Sequence, residues 1–451
     1  MTSTRVDALA AELDADDFSS FRSHFATRPE LKRMQNAVVR VGIAEVALDN
    51  DVVTSMSHSV SHRLDDWKVT NQKNSGRCWL FAGLNLLRSG TRKRLGVKDF
   101  EFSQNHAMYY DKLERANFFL ESVLATADRD ADDRLISFLF ANALDDGGQW
   151  DMIVSLFTKH GVVPKDAMPE TRSSSDTRGM NIALKSLARH GAIRLRGLVA
   201  KGSDAAELQG TKREILADVH SVLSIHLGTP PTSFDWQWTD DDKVFHRDGE
   251  LTPQEFYAKY VTLDLTDYVC LVDDPRTAHR KGETLTVEHL GNVVGGRPIR
   301  YLNVDIELAK TIAMETIVDG EPVWFGCDVE PQGQNKLGIW HSRLYDVTGV
   351  YGTDFSLDKE ERVRYQESAM THAMLLTGVD VVDGRPRRWR VENSWGKKAG
   401  ESGFYTMSDS WFEEYVFEVV VNKNRLPNEL NAALNQEPRV LHAWDAMGAL
   451  A

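Results

Sequence analysis

Cysteine is scarce in this chain, with only Cys78, Cys270 and Cys327 among 451 residues. So few, so widely scattered, exclude a disulfide framework. No CxxC pair and no Cys/His cluster with zinc-ligand spacing occurs, so no metal and no cofactor is expected. Long apolar runs are missing too: no window approaches 18 consecutive apolar residues, which argues against a membrane-spanning helix. The opening MTSTRVDALAAELDADDF lacks a basic start and an apolar core, so no secretory signal is expected and the expected location is the cytoplasm. Positive charge is in deficit, with 53 Lys and Arg against 67 Asp and Glu and a net charge of −14. That balance argues against general affinity for nucleic acid or anionic membranes, although RPRRWR at 385–390 is a local basic cluster. Internal repeats and low-complexity segments are also absent.

What is present divides into two textures. The first half reads mainly helical. CWLFAGLNLLRSGTRKRLG is apolar early and basic late with Gly96 as its stop. TPQEFYAKYV carries a capping box, with Thr252 as N-cap, Pro253 at the first helical position and Glu255 at the third. TKREILADVHSVLSIHLG stops at Gly228, and Pro230-Pro231 enforces a break. From about residue 300, after one more helix in DIELAKTIAMETIV, short β-branched and aromatic runs take over: PVWFGCDVE, HAMLLTGVDVV, RRWRVENSW and FEVVVN. DGRP at 383–386 reads as a turn joining two of them. A helical lobe followed by a β-rich lobe gives an α+β class with the cleft between lobes as the natural site for chemistry.

Candidate chemistry centres on NQKNSGRCWLFAGLN at 71–85. By itself a cysteine beside Trp-Leu-Phe-Ala reads as a buried, inert thiol. Four features reverse that reading. Ser75-Gly76 breaks any preceding element, so Cys78 falls in a first helical turn, where unpaired N–H groups and the dipole favour a thiolate. Gln72 lies six residues upstream and would join the Cys78 N–H as the second donor of an oxyanion hole. His372 opens a β-rich run after a polar loop and would pair with the thiol. Asn393, in NSWG, lies 21 positions beyond it and would accept the other imidazole N–H, with Trp395 covering that bond from water. Alone, each is weak; the ordered set is specific. Cys270 and Cys327 sit in strand-like runs and read as structural, GGQWD as a packed turn, and His106 as a helix-surface or core histidine rather than a cleft residue.

Gln72, Cys78-Trp79, His372 and Asn393-Ser394-Trp395-Gly396 resemble the pattern of papain-type cysteine peptidases. Cys78 and His372 are 294 residues apart, against roughly 130 to 150 in lysosomal members, so a sizeable insertion separates them. That spacing, the scarcity of cysteine and the whole-chain motifs SQNHAMYYDKLERANFFLE, DDGGQWDMIVSLFTKHGVVPK and AWDAMGALA resemble the bleomycin hydrolase and aminopeptidase C group. His442 and Ala446 depart from that pattern, standing where prolines are expected.

The resemblance implies a papain-like two-lobed fold with a helical insertion and a C-terminal arm in the cleft. The expected division is 1–55 as an N-terminal segment, 56–205 as the helical lobe and 206–300 as a mostly helical insertion used in oligomer contacts. Residues 301–430 then form the β-rich lobe and 431–451 the arm. It further implies a homohexamer and an intracellular aminopeptidase acting on short peptides with a free N-terminus, with bleomycin-hydrolase-like activity possible. The carboxylate of Ala451 would anchor the substrate amine. Two alternatives stand beside it: an endopeptidase of the same mechanism if the arm leaves the cleft open, and a non-catalytic nucleic-acid-binding assembly.

Overall fold

The structure, a computed structural model, describes residues 12–64 and 67–450. The chain forms two compact units, Met1–Met56 with Arg343–Leu357, and Ser57–Ser342 with Asp358–Ala451. The first, over its described residues, is helical. Ala15–Ala26 starts at an Asp14/Asp17 capping box, and Pro29–Val41 follows with proline at its start. The Asp346 N–H donates to the Ala47 carbonyl at 2.7 Å, holding the unit's two chain segments together.

All the candidate site residues belong to the second unit. Its central helix, α1 (Cys78–Leu95), is buried along almost its whole length, including Trp79, Leu80, Phe81, Leu84, Leu86 and Leu87. Burial all round means that it packs on both sides rather than along one stripe. It ends on Gly96 at φ 67°, and Arg92, Lys93 and Arg94 complement the negative end of its dipole. Helices α2 (Gln104–Ala125), α3 (Trp150–His160), α4 (Arg178–Ala200) and α5 (Ala205–Leu227) join it in the helical part, with the shorter Arg134–Ala141 and Arg172–Ser175. No described helix is long and apolar enough to cross a membrane.

Residues 206–300 depart from the mostly helical stretch expected there. After α5 come the hairpin strands β1 (Phe234–Thr239) and β2 (Phe245–Leu251), the capped helix Pro253–Tyr260, and strands β3 (Tyr268–Val272) and β4 (Thr284–Val287). The physical cause is the period of FDWQWT, whose residues alternate between half-buried and exposed. Trp236 and Trp238 lie on the packed side, edge-on to Tyr260 at 6.1 and 5.7 Å.

Further strands are β5 (Tyr301–Asn303), β6 (Val323–Cys327), β7 (His372–Val382), β8 (Arg385–Glu392), β9 (Phe404–Ser408), β10 (Val416–Asn422) and β11 (Arg439–Leu441), with α6 (Ile306–Val318) after β5 and the short His62–Arg63 paired with β7. They share one sheet in the order β11-β4-β5-β3-β10-β6-β7-β8-β9, extended by Ile339–Trp340 and Gly333–Gln334. The β7–β8 hairpin turns through Asp383 at φ 50° and Gly384 at φ 75°, as a two-residue primed turn requires. β6 is buried throughout, and its Cys327 pairs in register with His372. Cys270 and Cys327 are both buried and unpaired, as structural thiols are.

β10 carries an unusual core residue. Glu418 is 1% exposed, with no charged partner to its carboxyl among the described residues; its polar neighbour is the Cys270 thiol. Burial pushes this carboxyl up to about 8 from an ordinary 4.5. The native state therefore holds a proton that the unfolded chain releases, and stability falls as pH rises from about 4.5 to about 8. Thermal melting of Glu418→Gln should lose most of that decline, and an identical pH dependence in variant and wild type would refute the assignment.

Candidate active site

Two loops are zipped together in front of α1. The Gln72 N–H donates to the Ser394 carbonyl at 2.8 Å, Asn71 bridges Trp395, and the Gly396 N–H donates to the Thr70 carbonyl at 3.0 Å. A side chain at Gly396, φ 75°, would strike Asn71 at 2.4 Å, so the last letter of NSWG is needed for this closure. The zipper fixes Gln72 against Asn393-Ser394. The Ser394 hydroxyl donates to Gln72 Oε1 at 2.5 Å, and Gln72 Nε2 donates to the Ser75 carbonyl at 2.6 Å. One Nε2 hydrogen is left for an incoming oxyanion.

Cys78 is the first residue of α1 and is 4% exposed. The residue before it is locked: Arg77 makes a two-pronged pair with Glu170 at 2.9 and 2.8 Å and donates to Ser75 Oγ at 2.9 Å. A third loop, DDGGQW, docks from the other side. The Gly147 N–H donates to the Gly76 carbonyl at 2.9 Å, and the Gly76 N–H donates to Asp146 at 3.3 Å. Glycine is required at both faces, since a Cβ on Gly76 would meet Asp146 at 2.4 Å and one on Gly148 would meet Trp79 at 2.5 Å. GGQWD is thus the packed turn expected of it, seated on the loop that precedes Cys78.

His372 opens β7, and the backbone of the next residue, Ala373, hydrogen-bonds the Cys78 thiol. His372 Nε2 lies 3.0 Å from Asn393 Oδ1, which also accepts the Ser394 N–H at 2.7 Å. That second donor identifies the atom as the amide oxygen. Nε2 therefore carries the hydrogen, and Nδ1 is left as the proton acceptor for the thiol. Trp395 lies against the imidazole with ring centroids 4.9 Å apart. His106, in α2, is instead a core histidine packed on Tyr110 at 5.0 Å, and burial takes it down to about 3. Ala451 lies outside the described residues.

Electrostatics differ from the thiolate expected at a helix start. Burial pushes the Cys78 thiol up to about 11, outweighing the N–H groups of Ala373, Trp79 and its own backbone. Burial takes His372 down to about 4 against the opposing pull of Asn393. Both shifts favour the neutral form, of the thiol and of the imidazole alike. Moving one proton between them makes a strong nucleophile without changing the net charge of the site.

Sequence reasoning missed two supporting residues. Ser394, read only as part of NSWG, holds the Gln72 amide. Glu392, one residue before Asn393, is buried and accepts from Trp67 Nε1 at 2.6 Å, Asn85 Nδ2 at 3.0 Å and Arg88. It ties the strand end that bears Asn393 to the helix that bears Cys78. A lone acidic residue after the basic cluster, in RRWRVENSW, was the available signal.

An oriented imidazole, a thiol on a helix start and a fixed amide donor, carried on an α+β fold, are the equipment of a cysteine peptidase. Comparison with known proteins agrees. The Peptidase C1-like family model matches residues 12–448. Aminopeptidase C of Listeria innocua is 42% identical over 98% of this chain and 100% of its own length. Bleomycin hydrolase of Homo sapiens is 41% identical over 100% of this chain and 99% of its own. The crystal structure of PepW from Lactobacillus rhamnosis HN001 superposes with a TM-score of 0.96 at 45% identity, covering 98% of this chain and 100% of that one. The chain belongs to the Peptidase C1-like family, in its bleomycin hydrolase and aminopeptidase C group, and is a papain-like cysteine aminopeptidase.

Proposed function

We propose that this enzyme removes N-terminal residues from short peptides through a thioester on Cys78. His372 Nδ1 takes the thiol proton as Sγ attacks the carbonyl carbon. The oxyanion is held by Gln72 Nε2 and the Cys78 N–H, and Asn393 keeps the imidazole in its working tautomer under Trp395. His372 then gives its proton to the leaving amine. Water, deprotonated by the same histidine, cleaves the thioester and restores the thiol. Gln72→Ala should lower kcat by about 100- to 1000-fold with little change in KM. A loss under about threefold in steady-state kinetics would remove Gln72 from the oxyanion hole.

The observation that carries the aminopeptidase reading is the course of the C-terminal arm. Gly448, Ala449 and Leu450 line a cavity of about 490 Å³ together with Asp146 of the loop docked beside Cys78. Gln149, two residues past Gly147, donates from Nε2 to the Ala449 carbonyl at 2.6 Å. An arm on this course obstructs a chain that continues past the scissile residue, and the Ala451 carboxylate would receive its free amine. Free and N-acetylated aminoacyl amides, presented to wild type and to a chain lacking residues 446–451, test this. Equal cleavage of both substrates by wild type would sink the aminopeptidase reading, and an unchanged preference after truncation would sink the role of the arm.

Assembly as a homohexamer and a cytoplasmic location belong to the same proposal. The exposed Ile225, Val244 and Phe245 in 206–300 supply apolar surface suited to contacts between copies. The three unpaired cysteines suit a reducing compartment. Sedimentation should report about 300 kDa, six copies of 50.8 kDa, and a monomer at micromolar concentration would refute the hexamer.

A further inference from the structure

Away from the catalytic residues, a buried knot of charge fastens the C-terminal arm to the sheet. Arg276 donates to Asp445 with both terminal nitrogens, Nη1 to Oδ2 at 2.9 Å and Nη2 to Oδ1 at 2.7 Å. The same guanidinium is gripped from behind by Asp274, through Nε to Oδ1 at 2.9 Å and Nη2 to Oδ2 at 2.7 Å. Asp274 is fully buried and also meets His279 Nδ1 at 2.6 Å, so its own position is set. Arg276 and Asp445 each keep only 15% side-chain exposure.

Asp445 is also the cap of the turn that follows. Its Oδ1 accepts the Met447 N–H at 2.9 Å and its carbonyl accepts the Gly448 N–H at 2.8 Å, forming the one-turn helix Ala446–Gly448. That turn aims Met447, 9% exposed, into a small cavity lined by Gln149, Tyr301, Met370 and Glu418. Met370 is two residues from His372, and Gln149 is the residue that binds Ala449. The Tyr301 hydroxyl adds a bond to the Met447 carbonyl at 3.3 Å. One ion pair therefore orients the cap, the cap orients the turn, and the turn seats a side chain against Met370, on the segment that leads into His372.

We propose that Arg276 is a specificity-determining positioning residue: by clamping Asp445 it seats Met447 in this cavity and sets how far the arm reaches along the cleft. The proposal rests on the aminopeptidase reading and adds the residues that enforce it. Arg276 touches no reacting atom. It acts through the arm, so its loss should relax the demand for a free amine rather than stop the chemistry.

The test measures kcat/KM for a free-amine aminoacyl amide and its N-acetylated counterpart. The enzymes are wild type, Arg276→Gln, Asp445→Asn, the chain lacking 446–451, and Arg276→Gln within that shortened chain. Both point variants should raise the blocked-to-free ratio by at least about tenfold, the worth of one hydrogen-bonded charge pair, and should raise KM for the free amine more than they lower kcat. In the shortened chain Arg276→Gln should change the ratio no further, because the arm it acts on is gone. A gain of activity on blocked substrate cannot come from misfolding, and Asp445→Asn, which keeps a capping side chain, decides the matter if Arg276→Gln fails to fold. A wild type that prefers free amines, loses that preference on truncation and keeps it in both point variants overturns the clamp while leaving the aminopeptidase reading intact. A wild type with no preference overturns both.

Discussion

Replacing Cys78 with alanine is expected to lower kcat/KM by at least about 10⁴-fold, since no other thiol can take its place. Cys270 and Cys327 are buried in strands, and burial holds both thiols well above the ordinary range. Far-ultraviolet circular dichroism should be unchanged, and residual turnover above about 1% would show that the nucleophile lies elsewhere. Burial that favours the neutral form of both groups makes a second outcome specific. A neutral thiol with a neutral imidazole holds as many protons as a thiolate with an imidazolium, so pH does not shift the balance between them. Inactivation of wild type by iodoacetamide should stay level from about pH 5 to about pH 10. It should fall near pH 4, where His372 takes up a proton, and rise near pH 11, where the thiol ionises outright. A rate climbing tenfold per pH unit through neutrality would mean that the thiol titrates alone.

Glu392→Ala is expected to destabilise the enzyme by about 3–5 kcal/mol, the cost of leaving one partner of a buried ion pair uncompensated. Glu392 has no exposed side-chain surface and Arg88 only 4%, so water cannot take over the lost bonds. Arg88 and Arg92 also lie against the Trp67 ring, at 5.5 and 4.9 Å, which confines Arg88 near the place the carboxylate leaves. The indole N–H of Trp67 and the amide of Asn85 would lose their acceptor as well. Denaturant unfolding of Glu392→Ala and Glu392→Gln measures this, the glutamine variant being expected to lose less because it keeps an acceptor in place. A change below about 1 kcal/mol for alanine would show the pair to be unimportant. Activity should fall with stability, because Glu392 fixes the strand end that presents Asn393 to His372.

Much of the site was legible because its local physics is short-range. Ser75-Gly76 before an apolar run marks a helix start, and Cys78 is its first residue. Thr252, Pro253 and Glu255 cap a helix as their spacing requires, and Asp383-Gly384 turns a hairpin for the reason that glycine follows aspartate there. The proposed set was readable for the same reason, since Cys78 opens a helix, His372 opens a strand and Asn393 follows a strand end, each marked by neighbouring residues. FDWQWT was missed for the converse reason: its alternation is equally short-range, but it lies between helical segments and was absorbed into them.

Tertiary structure alone decided who touches whom. Nothing near Gln72 in sequence says that Ser394, 322 residues away, holds its amide, or that Asn85 and Arg88 share Glu392. Arg276 has many acidic residues within reach of a flexible chain, and only the fold selects Asp445 for it. Such pairings depend on which surfaces are buried together, a property of the whole packed chain. The same holds for charge. A helix start argues for a thiolate at Cys78, yet burial pushes the thiol the other way, and burial is something no window of fifteen residues contains. The sequence by itself determined the class of enzyme and the element starts at which the proposed site residues stand. The fold decided which of those residues meet and how deeply each is buried, because both depend on surfaces packed together from distant parts of the chain.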